Sequence, residues 1–538
     1  MTALTEYPSS TTTPQTVRAR NDQVQNNAGG FVFELSPIDA LRRFLILGTE
    51  GGTFYAGQNQ HTLQAVKSLD KALDQYPTLA IDTIVDVSQK GLAPKNDQAI
   101  FALAYAAGHD DEIVRKYALA QLGLVCRTGT HLFQFAEFVE KFRGWGRGLR
   151  TSVGRWYEYK DAESLAYQVT KYRQRNGWSH RDILRLSHPK AVTSGHAEVF
   201  DFAKAKDVKS LKAKNFETDA IKGFIKLQKV SDVDKVIKLI GEYRSITHDM
   251  IPTEFKSDPK VWHALLAKRM PMTALVRNLG VMTANGTLTP FGSDSNLIAE
   301  QLLDPIAIRN SRIHPLRILV ANRIYKSGRG MRGSKTWTPV NNIVDALDEA
   351  FYLAFDNVEP AGKNTLIALD VSASMTWDNI MGAPITPRDA SAAMALVTVR
   401  TEPNVHTMAF TGGWNAGAIE PFTLTKKMSV DDAINTVSRM RAGGTDCSIP
   451  MLHAQENGLE VDTFIVYTDN ETWAGRIQPF QALKQYRKHS GRDAKLVVVG
   501  MTATSFSIAD PNDRGMLDVV GFDTSAPSLI SAFSRGDF

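Results

Sequence analysis

The sequence has few of the features that mark secreted, membrane-bound or disulfide-stabilised proteins. Its 538 residues include only two cysteines, Cys126 and Cys447, which lie far apart in the chain. No run approaches the ~20 apolar residues that a transmembrane helix needs. The first residues, MTALTEYPSSTTTPQT, lack the basic start and apolar core of a secretory signal. These absences favour a cytoplasmic protein with reduced thiols and no membrane partner.

Common catalytic motifs are also absent. The sequence has no Walker A motif, no H-E-x-x-H and no G-x-S-x-G, and two distant cysteines offer no zinc cluster. Residues 328–333 spell G-x-G-x-x-G, but they follow a helical stretch and precede Ser-Lys-Thr-Trp-Thr-Pro. The strand–turn–helix context of a dinucleotide site is therefore missing. We predict that the protein is not an enzyme.

Positive charge is concentrated in one part of the chain. The net charge is +5, but residues 1–362 carry +9 and residues 363–538 carry −4. Residues 141–190 alone contain 12 Lys and Arg against four Asp and Glu. A cluster of this density is typical of a surface that binds a polyanion. A solvent-exposed basic helix face would give the same pattern, so the charge alone leaves both interpretations open.

The apolar pattern divides the chain into two parts. From about residue 36 to 362, apolar residues recur at helical spacing in segments of about 11 to 16 residues, which predicts stacked helical hairpins, an α-solenoid. After Lys363, short β-branched runs alternate with helical stretches, which predicts a doubly wound α/β domain around a parallel sheet. We expect a flexible tail over residues 1–25, a helical domain over residues 26–362 and an α/β domain over residues 363–538.

Polar side chains follow the predicted strands at the edge where such sheets bind ligands. Asp370-Val371-Ser372-Ala373-Ser374 ends the first strand, a loop carries Gly443-Gly444-Thr445, and Asp469 follows a later strand. Hydroxyl and carboxylate oxygens suit hard cations, Mg²⁺ first, with Mn²⁺ or Ca²⁺ as alternatives. D-x-S-x-S by itself is more often a helix cap. Three clusters in this order predict a divalent-cation site.

The basic window mixes cations with aromatic and hydrogen-bonding side chains. It includes the runs WGRGLR (145–150) and KYRQRNGW (171–178). Arg and Lys neutralise phosphates, while Gln, Asn and His donate hydrogen bonds to phosphate or to a 2′-hydroxyl. Tyr172 and Trp178 would either stack on bases or pack inside a helical hairpin. Composition does not separate RNA from DNA.

Several stretches resemble the Ro autoantigen family, the TROVE-domain proteins that bind Y RNA, in a bacterial or phage-borne form. The similar segments run in order along nearly the whole chain after the tail. They are FLILGTEGGTFY (44–55), KYRQRNGWSHRDILRLSHPK (171–190), MPMTALVRNLGVMTANG (270–286), YKSGRGMRG (325–333), LDVSASM (369–375), AGGTDCSIPM (442–451), YTDNETWAG (467–475) and IADPNDRGMLDVVGFDT (508–524). The three polar clusters likewise resemble the metal-ion-dependent adhesion site of von Willebrand factor A (vWA) domains.

The resemblance implies a ring of HEAT-like helical hairpins closed by a vWA domain. It implies that Ser372, Ser374 and Thr445 coordinate the cation directly, with Asp370 and Asp469 in support. It also implies a monomeric ribonucleoprotein scaffold that binds Y RNA on an outer basic surface. Single-stranded 3′ ends of misfolded or immature non-coding RNAs would enter a central hole, lined by the loop around Arg329 and Arg332. The expected roles are small-RNA quality control and ribosomal RNA maturation or decay, alongside an exoribonuclease.

By match to the family motif, Lys171, Arg175 and His188 are the leading candidate RNA contacts. The further candidates are Arg173, Gln174, Arg185, Lys190, Arg147 and Arg150. The segment between Ser194 and Glu242 matches only loosely, so no contact is predicted there.

Two other functions stay open at this stage. The α/β domain would serve as a metal-dependent adhesion or assembly module that recruits a protein, with RNA binding incidental. A metal-dependent nuclease is the third hypothesis, and a single hydroxyl-rich site disfavours it, because two-metal phosphoryl chemistry needs several carboxylates around two ions.

Overall fold

The computed structural model describes residues 12–49, 52–331, 334–355, 358–377, 379–380, 384–412 and 419–537. These residues form two compact units. The first unit combines the N-terminal residues up to Asp74 with the C-terminal part from Phe355, and the second comprises Gln75–Ala354. The predicted fold class, helical hairpins followed by a doubly wound α/β domain, is confirmed.

The N-terminal part of the first unit contains a short hairpin and two helices. They are β1 (Gln23–Gln25), β2 (Phe31–Glu34), α1 (Pro37–Leu47) and α2 (Gln58–Gln75). Helix α1 begins where the Ser36 hydroxyl accepts the Asp39 amide at 3.1 Å, with Pro37 in the first turn. Its apolar face, which includes Leu41 and Leu45, is buried.

The second unit is helical except for one small hairpin. Its amphipathic helices bury their apolar stripes against neighbours in the chain, as when α4 packs against α7. The elements are α3 (Pro77–Lys90), α4 (Asp97–Gly108), α5 (Glu112–Ala120), α6 (Leu122–Val125), α7 (Gly129–Phe142), α8 (Arg147–Glu158), α9 (Ala162–Lys171), β3 (Gln174–Arg175), β4 (Trp178–Ser179), α10 (His180–Ser187), α11 (Ser194–Lys204), α12 (Asp219–Leu227), α13 (Val233–Glu242), α14 (Pro259–Ala267), α15 (Met272–Ala284), α16 (Ser293–Leu303), α17 (Pro305–Ser311), α18 (Pro315–Lys326) and α19 (Asn341–Leu353), with 3₁₀ turns at Ala213–Asn215 and Thr253–Phe255.

The first and last parts of the helical unit contact each other directly. Arg312 Nη1 donates to the carbonyl of Gln89 at 3.0 Å, and Arg317 Nε donates to that of Pro94 at 2.6 Å. Between them, His314 Nε2 lies 3.1 Å from the carbonyl of Leu92. Three basic side chains from the α17–α18 region therefore satisfy carbonyls at the end of α3 and in the loop after it.

The C-terminal part of the first unit is a six-stranded sheet between helices. Its strand order is β11-β9-β8-β5-β6-β7, parallel except for the edge strand β7. The strands β5 and β8 are buried throughout, as expected for a central parallel sheet covered on both faces. The elements are β5 (Thr365–Asp370), a 3₁₀ turn (Ala373–Thr376), α20 (Pro387–Thr401), β6 (Val405–Phe410), β7 (Ile419–Pro421), α21 (Val430–Ser438), α22 (Ile449–Glu456), β8 (Thr463–Thr468), α23 (Pro479–Ser490), β9 (Lys495–Gly500), β10 (Phe506–Ser507), β11 (Met516–Val520) and α24 (Ala526–Arg535).

The N-terminal residues join the C-terminal part, which differs from the domain limits predicted from the sequence. Strand β2 pairs with both β1 and β10, so Glu34 lies opposite Phe506. Helix α1 inserts the fully buried Arg43, which donates to the carbonyl of Phe506 at 2.9 Å and pairs with Asp518. Because the paired residues lie about 470 positions apart in the chain, no local sequence pattern reveals their pairing. The apolar pattern therefore assigned α1 and α2 to the helical domain.

The structure also differs from the flexible tail predicted over residues 1–25. Residues 1–11 lie outside the described residues, but Gln15 and Gln23 are buried. In the described part of the chain, no helix combines the length and apolarity that crossing a bilayer requires.

Candidate functional site

Two neighbouring strands bring the predicted carboxylates to one edge of the sheet. Asp370 is the last residue of β5, and Asp469 comes directly after β8, its parallel neighbour. Both side chains are buried. The backbone amide of Ser372 donates to Asp370 Oδ1 at 2.9 Å, and the Thr468 hydroxyl donates to Asp370 Oδ2 at 2.7 Å. These bonds fix the orientation of the Asp370 carboxylate.

The three predicted hydroxyl groups are buried in the loops beside these carboxylates. Ser372 Oγ and Ser374 Oγ lie 3.0 Å apart. The Thr445 loop docks through the Ala373 amide, which donates to the Gly443 carbonyl at 3.1 Å, and through the Gly412–Gly444 bridge. A Cβ at Gly443 would lie 2.4 Å from the Thr411 hydroxyl, so this approach requires glycine. The buried Thr445 Oγ1 has no hydrogen-bond partner among the described residues.

Burial affects the protonation of the two carboxylates in this cluster. It raises the pKa of Asp370 to about 7, with the charge of Asp469 as the second cause. Burial likewise raises the pKa of Asp469. Among the described residues, no group of three or more His, Cys, Asp or Glu side chains could hold a metal ion. The donor set is instead three hydroxyls and two carboxylates, and the orphaned Thr445 oxygen fits a ligand to a hard cation such as Mg²⁺.

A tight hairpin presents part of the predicted RNA-binding run. Strands β3 and β4 pair antiparallel across Asn176-Gly177, both of which have positive φ angles of 53° and 78°. Two such residues form a type I′ turn, for which Asn-Gly is the preferred sequence. Arg175 is exposed on β3. The sequence analysis did not predict this hairpin from the apolar pattern, although the Asn-Gly pair is a signal for one.

Helix α10 then places His188. The Ser179 hydroxyl accepts the Asp182 amide at 3.3 Å, while Asp182 accepts the Ser179 amide at 3.0 Å, a reciprocal capping box. The helix ends at Ser187, and its C-cap residue His188, with a φ of 49°, turns the chain into Pro189. His188 and Lys190 are exposed at this end, and the Lys190 amide is held by Glu158 of α8 at 2.9 Å.

A cavity of about 580 Å³ opens between α8 and the end of α10. Arg147, Arg150 and Gly154 recur at helical spacing, so one face of α8 forms its wall. The lining residues are Trp145, Arg147, Arg150, Thr151, Gly154, Arg155, Glu158, Ser187, His188 and Lys190. Trp145 packs against Trp178 with ring centroids 5.8 Å apart, and its buried Nε1 has no partner among the described residues. Four of the predicted contacts thus come together.

Two further cavities adjoin the first and extend its positive charge. A cavity of about 210 Å³ shares Arg147 and adds Arg115, Lys116 and Arg143. Another of about 380 Å³ shares His188 and adds Arg181, Arg185 and Lys204. We call the cationic residues lining these three cavities the basic surface. Sequence reasoning missed Arg115, Lys116 and Lys204, which lie outside the dense window, and did not single out Arg143 and Arg155 within it.

Lys171 is held by neighbours in the fold, whereas Arg173 is exposed. Lys171 Nζ lies 3.0 Å from the Tyr167 hydroxyl and 3.8 Å from Asp249, and its side chain is 14% exposed. Burial opposes its charge, but the hydrogen bond to Tyr167 prevails and the pKa of Lys171 is raised. The Arg173 guanidinium lies 6.0 Å from the Phe224 ring. Neither residue lines the three cavities of the basic surface.

One other sequence expectation concerns the loop around Arg329 and Arg332. Arg329 is exposed in the loop after α18, whereas Arg332 lies outside the described residues. His180, eight residues before His188, is buried, and its Nδ1 lies 2.8 Å from the Tyr157 hydroxyl. Burial lowers its pKa to about 3, which is consistent with a core position.

The parallel sheet with a hydroxyl-rich site at the ends of β5 and β8 defines a vWA domain, here attached to a helical-repeat unit. Residues 24–324 match the TROVE domain, and residues 364–534 match the Ro60 vWA domain. The chain therefore belongs to the TROVE-domain Ro60 family.

Relatives along the whole chain agree with this assignment. The RNA-binding protein RO60 of Deinococcus radiodurans is 43% identical over 527 residues, which cover 97% of each chain. The RNA-binding protein RO60 of Caenorhabditis elegans is 35% identical over an alignment 597 positions long, covering 97% of this chain and 91% of the relative. The crystal structure of the Deinococcus radiodurans Ro (RSR) protein superposes with a TM-score of 0.69 at 41% identity, covering 94% of this chain and all of that one.

Proposed function

We propose that the protein is an RNA-binding scaffold that takes structured, non-coding RNA on its basic surface. Its ligands would be Y RNA and the 3′ ends of misfolded or immature RNAs, in small-RNA quality control and ribosomal RNA maturation or decay with an exoribonuclease. The observation that carries this proposal is the cavity between α8 and α10, where Arg147, Arg150, Arg155, His188 and Lys190 converge. The names of the two relatives point to the same class of ligand.

The charge of the α8 arginines on this surface is available to a ligand. Within the described residues, Arg147, Arg150 and Arg155 form no ion pair with a carboxylate, and all three are exposed. Uncompensated guanidinium groups on one helix face suit the closely spaced phosphates of a folded RNA. Trp145 adds a half-buried aromatic ring to the lining of the cavity, and such a ring can stack on a base.

The hairpin and the end of α10 provide a first test. Changing Arg175 to Gln and His188 to Asn together removes two exposed contacts, and Asn tolerates the positive φ at position 188. We expect at least ~10-fold weaker binding of a Y-like RNA, since hydrogen bonds to charged groups contribute about 1.5 to 3 kcal/mol each. Filter binding measures the affinity. Changing Lys171 to Gln alone should have a smaller effect, because Lys171 is partly buried. An unchanged affinity in the double variant would remove both residues from the interface.

We also propose that Ser372, Ser374, Thr445, Asp370 and Asp469 bind a divalent cation, Mg²⁺ first. Support comes from the buried pair of carboxylates and the unpaired Thr445 oxygen. When bound, the cation would offset the repulsion between the two carboxylates and offer an open coordination position to an anionic group.

The raised pKa of Asp370 predicts a pH-dependent response to the cation. Burial and the neighbouring charge of Asp469 raise the pKa of Asp370 above its ordinary value, so the metal-free site keeps its proton to a higher pH than an exposed carboxyl does. Cation binding requires the deprotonated carboxylate. We expect Mg²⁺ to raise the melting temperature more at pH 8 than at pH 6, relative to EDTA, as measured by differential scanning calorimetry. A larger increase at pH 6 would contradict this assignment.

The site supports binding rather than hydrolysis. A third carboxylate, Glu471, lies two residues after Asp469, but its oxygens accept from the Asn27 amide at 2.7 Å and the Ala28 backbone at 3.0 Å. Two carboxylates then serve one cation, whereas two-metal phosphoryl transfer needs more. Incubation of labelled RNA with the protein and Mg²⁺ should leave the RNA intact, and sustained cleavage would contradict the proposal.

An exposed aromatic cluster favours a second candidate function, metal-dependent recruitment of a protein. Phe54 packs edge-on against Tyr55 and Trp377, with ring centroids 4.9 and 5.4 Å away. Trp473 Nε1 lies 3.3 Å from the Tyr55 hydroxyl. Burial raises the pKa of Tyr55 to about 12, and the charges of Asp469 and Asp370 add to the increase, so the cluster lies near the cation site. Exposed aromatics are typical of protein-binding hot spots. A partner that survives nuclease and is lost in EDTA would favour this function.

A further inference from the structure

A glutamine from the N-terminal segment is buried among the loops of the cation site. Gln15 Nε2 donates to Asp446 Oδ1 at 2.7 Å and to the Ile477 carbonyl at 3.0 Å. Its Oε1 accepts from the Thr472 hydroxyl at 2.6 Å and from the Gly475 amide at 3.1 Å. Both donor hydrogens and both acceptor positions of this amide are therefore used. Such full pairing fixes the relative position of the groups it joins.

The loops that Gln15 joins are those that carry Thr445. Asp446 follows Thr445 directly, and the Thr445 carbonyl accepts the amides of Trp473 and Ala474, each at 3.0 Å. A Cβ at Gly475 would lie 2.3 Å from Gln15 Nε2 and 2.4 Å from Asp446 Oδ1, so a side chain there would displace one of them. The position of Thr445 thus depends on contacts that Gln15 completes.

A second contact of the same segment reaches the loop after Asp469. Asn26 Nδ2 donates to the Thr472 carbonyl at 2.8 Å, and Asn27 Nδ2 donates to Glu471 at 2.7 Å. The backbone approaches so closely here that a Cβ at Gly30 would lie 1.9 Å from the Thr472 carbonyl oxygen. We call Gln15, Asn26 and Asn27 the N-terminal clamp.

We propose that the N-terminal clamp positions Thr445 and Asp469 for cation binding, with Gln15 as its main positioning residue. This inference rests on the proposed cation site. Residue 15 precedes both matched domains, which begin at residues 24 and 364. Groups that orient metal ligands without touching the metal commonly change its affinity by ~10- to 100-fold when removed. Residues of the N-terminal segment and of the C-terminal part would thus both contribute to the cation site.

The test compares Gln15→Ala with Gln25→Ala in the full chain. Gln25 is an exposed glutamine of the same segment, and among the described residues its amide bonds only to the Gly29 carbonyl, at 3.1 Å. Mn²⁺ affinity is measured by electron paramagnetic resonance. We expect Gln15→Ala to weaken Mn²⁺ binding by at least ~10-fold and Gln25→Ala to leave it unchanged.

The outcomes separate the clamp from the site itself. If the wild type binds no Mn²⁺, the proposed cation site fails, and the clamp fails with it. If the wild type binds and Gln15→Ala binds equally well, the clamp alone is overturned. A purely structural role would lower the melting temperature equally with and without Mn²⁺, whereas positioning reduces the increase that Mn²⁺ produces. Should Gln15→Ala unfold, Gln15→Glu keeps the size and loses the two donated bonds; wild-type Mn²⁺ affinity in that variant also overturns the proposal.

Discussion

Changing Arg147, Arg150 and Arg155 together to Gln is expected to weaken binding of a structured RNA by at least ~100-fold, since each charge-assisted contact contributes about 1.5 to 3 kcal/mol. The three guanidinium groups line one cavity and, within the described residues, have no carboxylate partner. Each lost phosphate contact should also lower the slope of log affinity against log salt by about one. Filter binding between about 50 and 200 mM salt measures both quantities.

The matched control changes Lys426 and Lys427 to Gln. Both are exposed cations of the vWA unit, outside the basic surface. If their loss reduces affinity as much as the arginine variant does, binding follows total charge and the cavity has no special role. If neither variant matters, α8 is not part of the interface.

Replacing Arg43 by Ala should destabilise the protein more than replacing any other cation described above. Its guanidinium is fully buried, pairs with Asp518 and donates to the Thr504 hydroxyl at 3.1 Å and the Phe506 carbonyl at 2.9 Å. Gly500 provides the room, because a Cβ there would lie 2.5 Å from Arg43 Nη2. Arg43→Ala leaves a largely buried carboxylate, 15% exposed, and two carbonyls without their partner, which typically costs about 3 to 5 kcal/mol. Urea unfolding followed by circular dichroism measures the loss.

The neighbouring arginine serves as the control. Arg42 pairs with Asp523 at 2.6 Å and is 31% exposed, and the buried Asp523 keeps its bonds from the Ser525 amide and hydroxyl, so Arg42→Ala should cost less than Arg43→Ala, about 1 to 3 kcal/mol. Replacing Arg43 by Met and Asp518 by Leu together should recover part of the stability, because no unpaired charge stays buried. Equal losses in Arg42→Ala and Arg43→Ala would show that burial does not set the cost.

The sequence was sufficient to predict the site residues that directly follow the end of a strand. Asp370 and Asp469 each end an apolar run, and parallel strands place such ends at one edge. The structure accordingly brings both carboxylates together with Ser372, Ser374 and Thr445. The alternation of strands and helices likewise predicted the doubly wound sheet, because each buried strand is a continuous apolar run.

The sequence was insufficient where position depends on distant partners. Lys171 was a leading candidate contact, but Tyr167 and Asp249 hold its ammonium group, and Asp249 lies far along the chain. The pairing of β2 with β10 and the burial of Arg43 depend on residues near the other end. Helical periodicity records which face of a helix is buried, not which element covers it.

The union of the two chain ends in one unit has a consequence for biosynthesis. During translation, Val32, Phe33 and Leu45, all buried in the finished fold, emerge long before β10 and β11 exist to cover them. Domains usually fold as they leave the ribosome, N-terminal first; here the earliest segment must wait for almost the last. A nascent chain stalled before residue 506 would expose these apolar side chains. We therefore expect unfinished chains of this protein to depend on chaperones more than those of a protein whose domains follow one another in sequence.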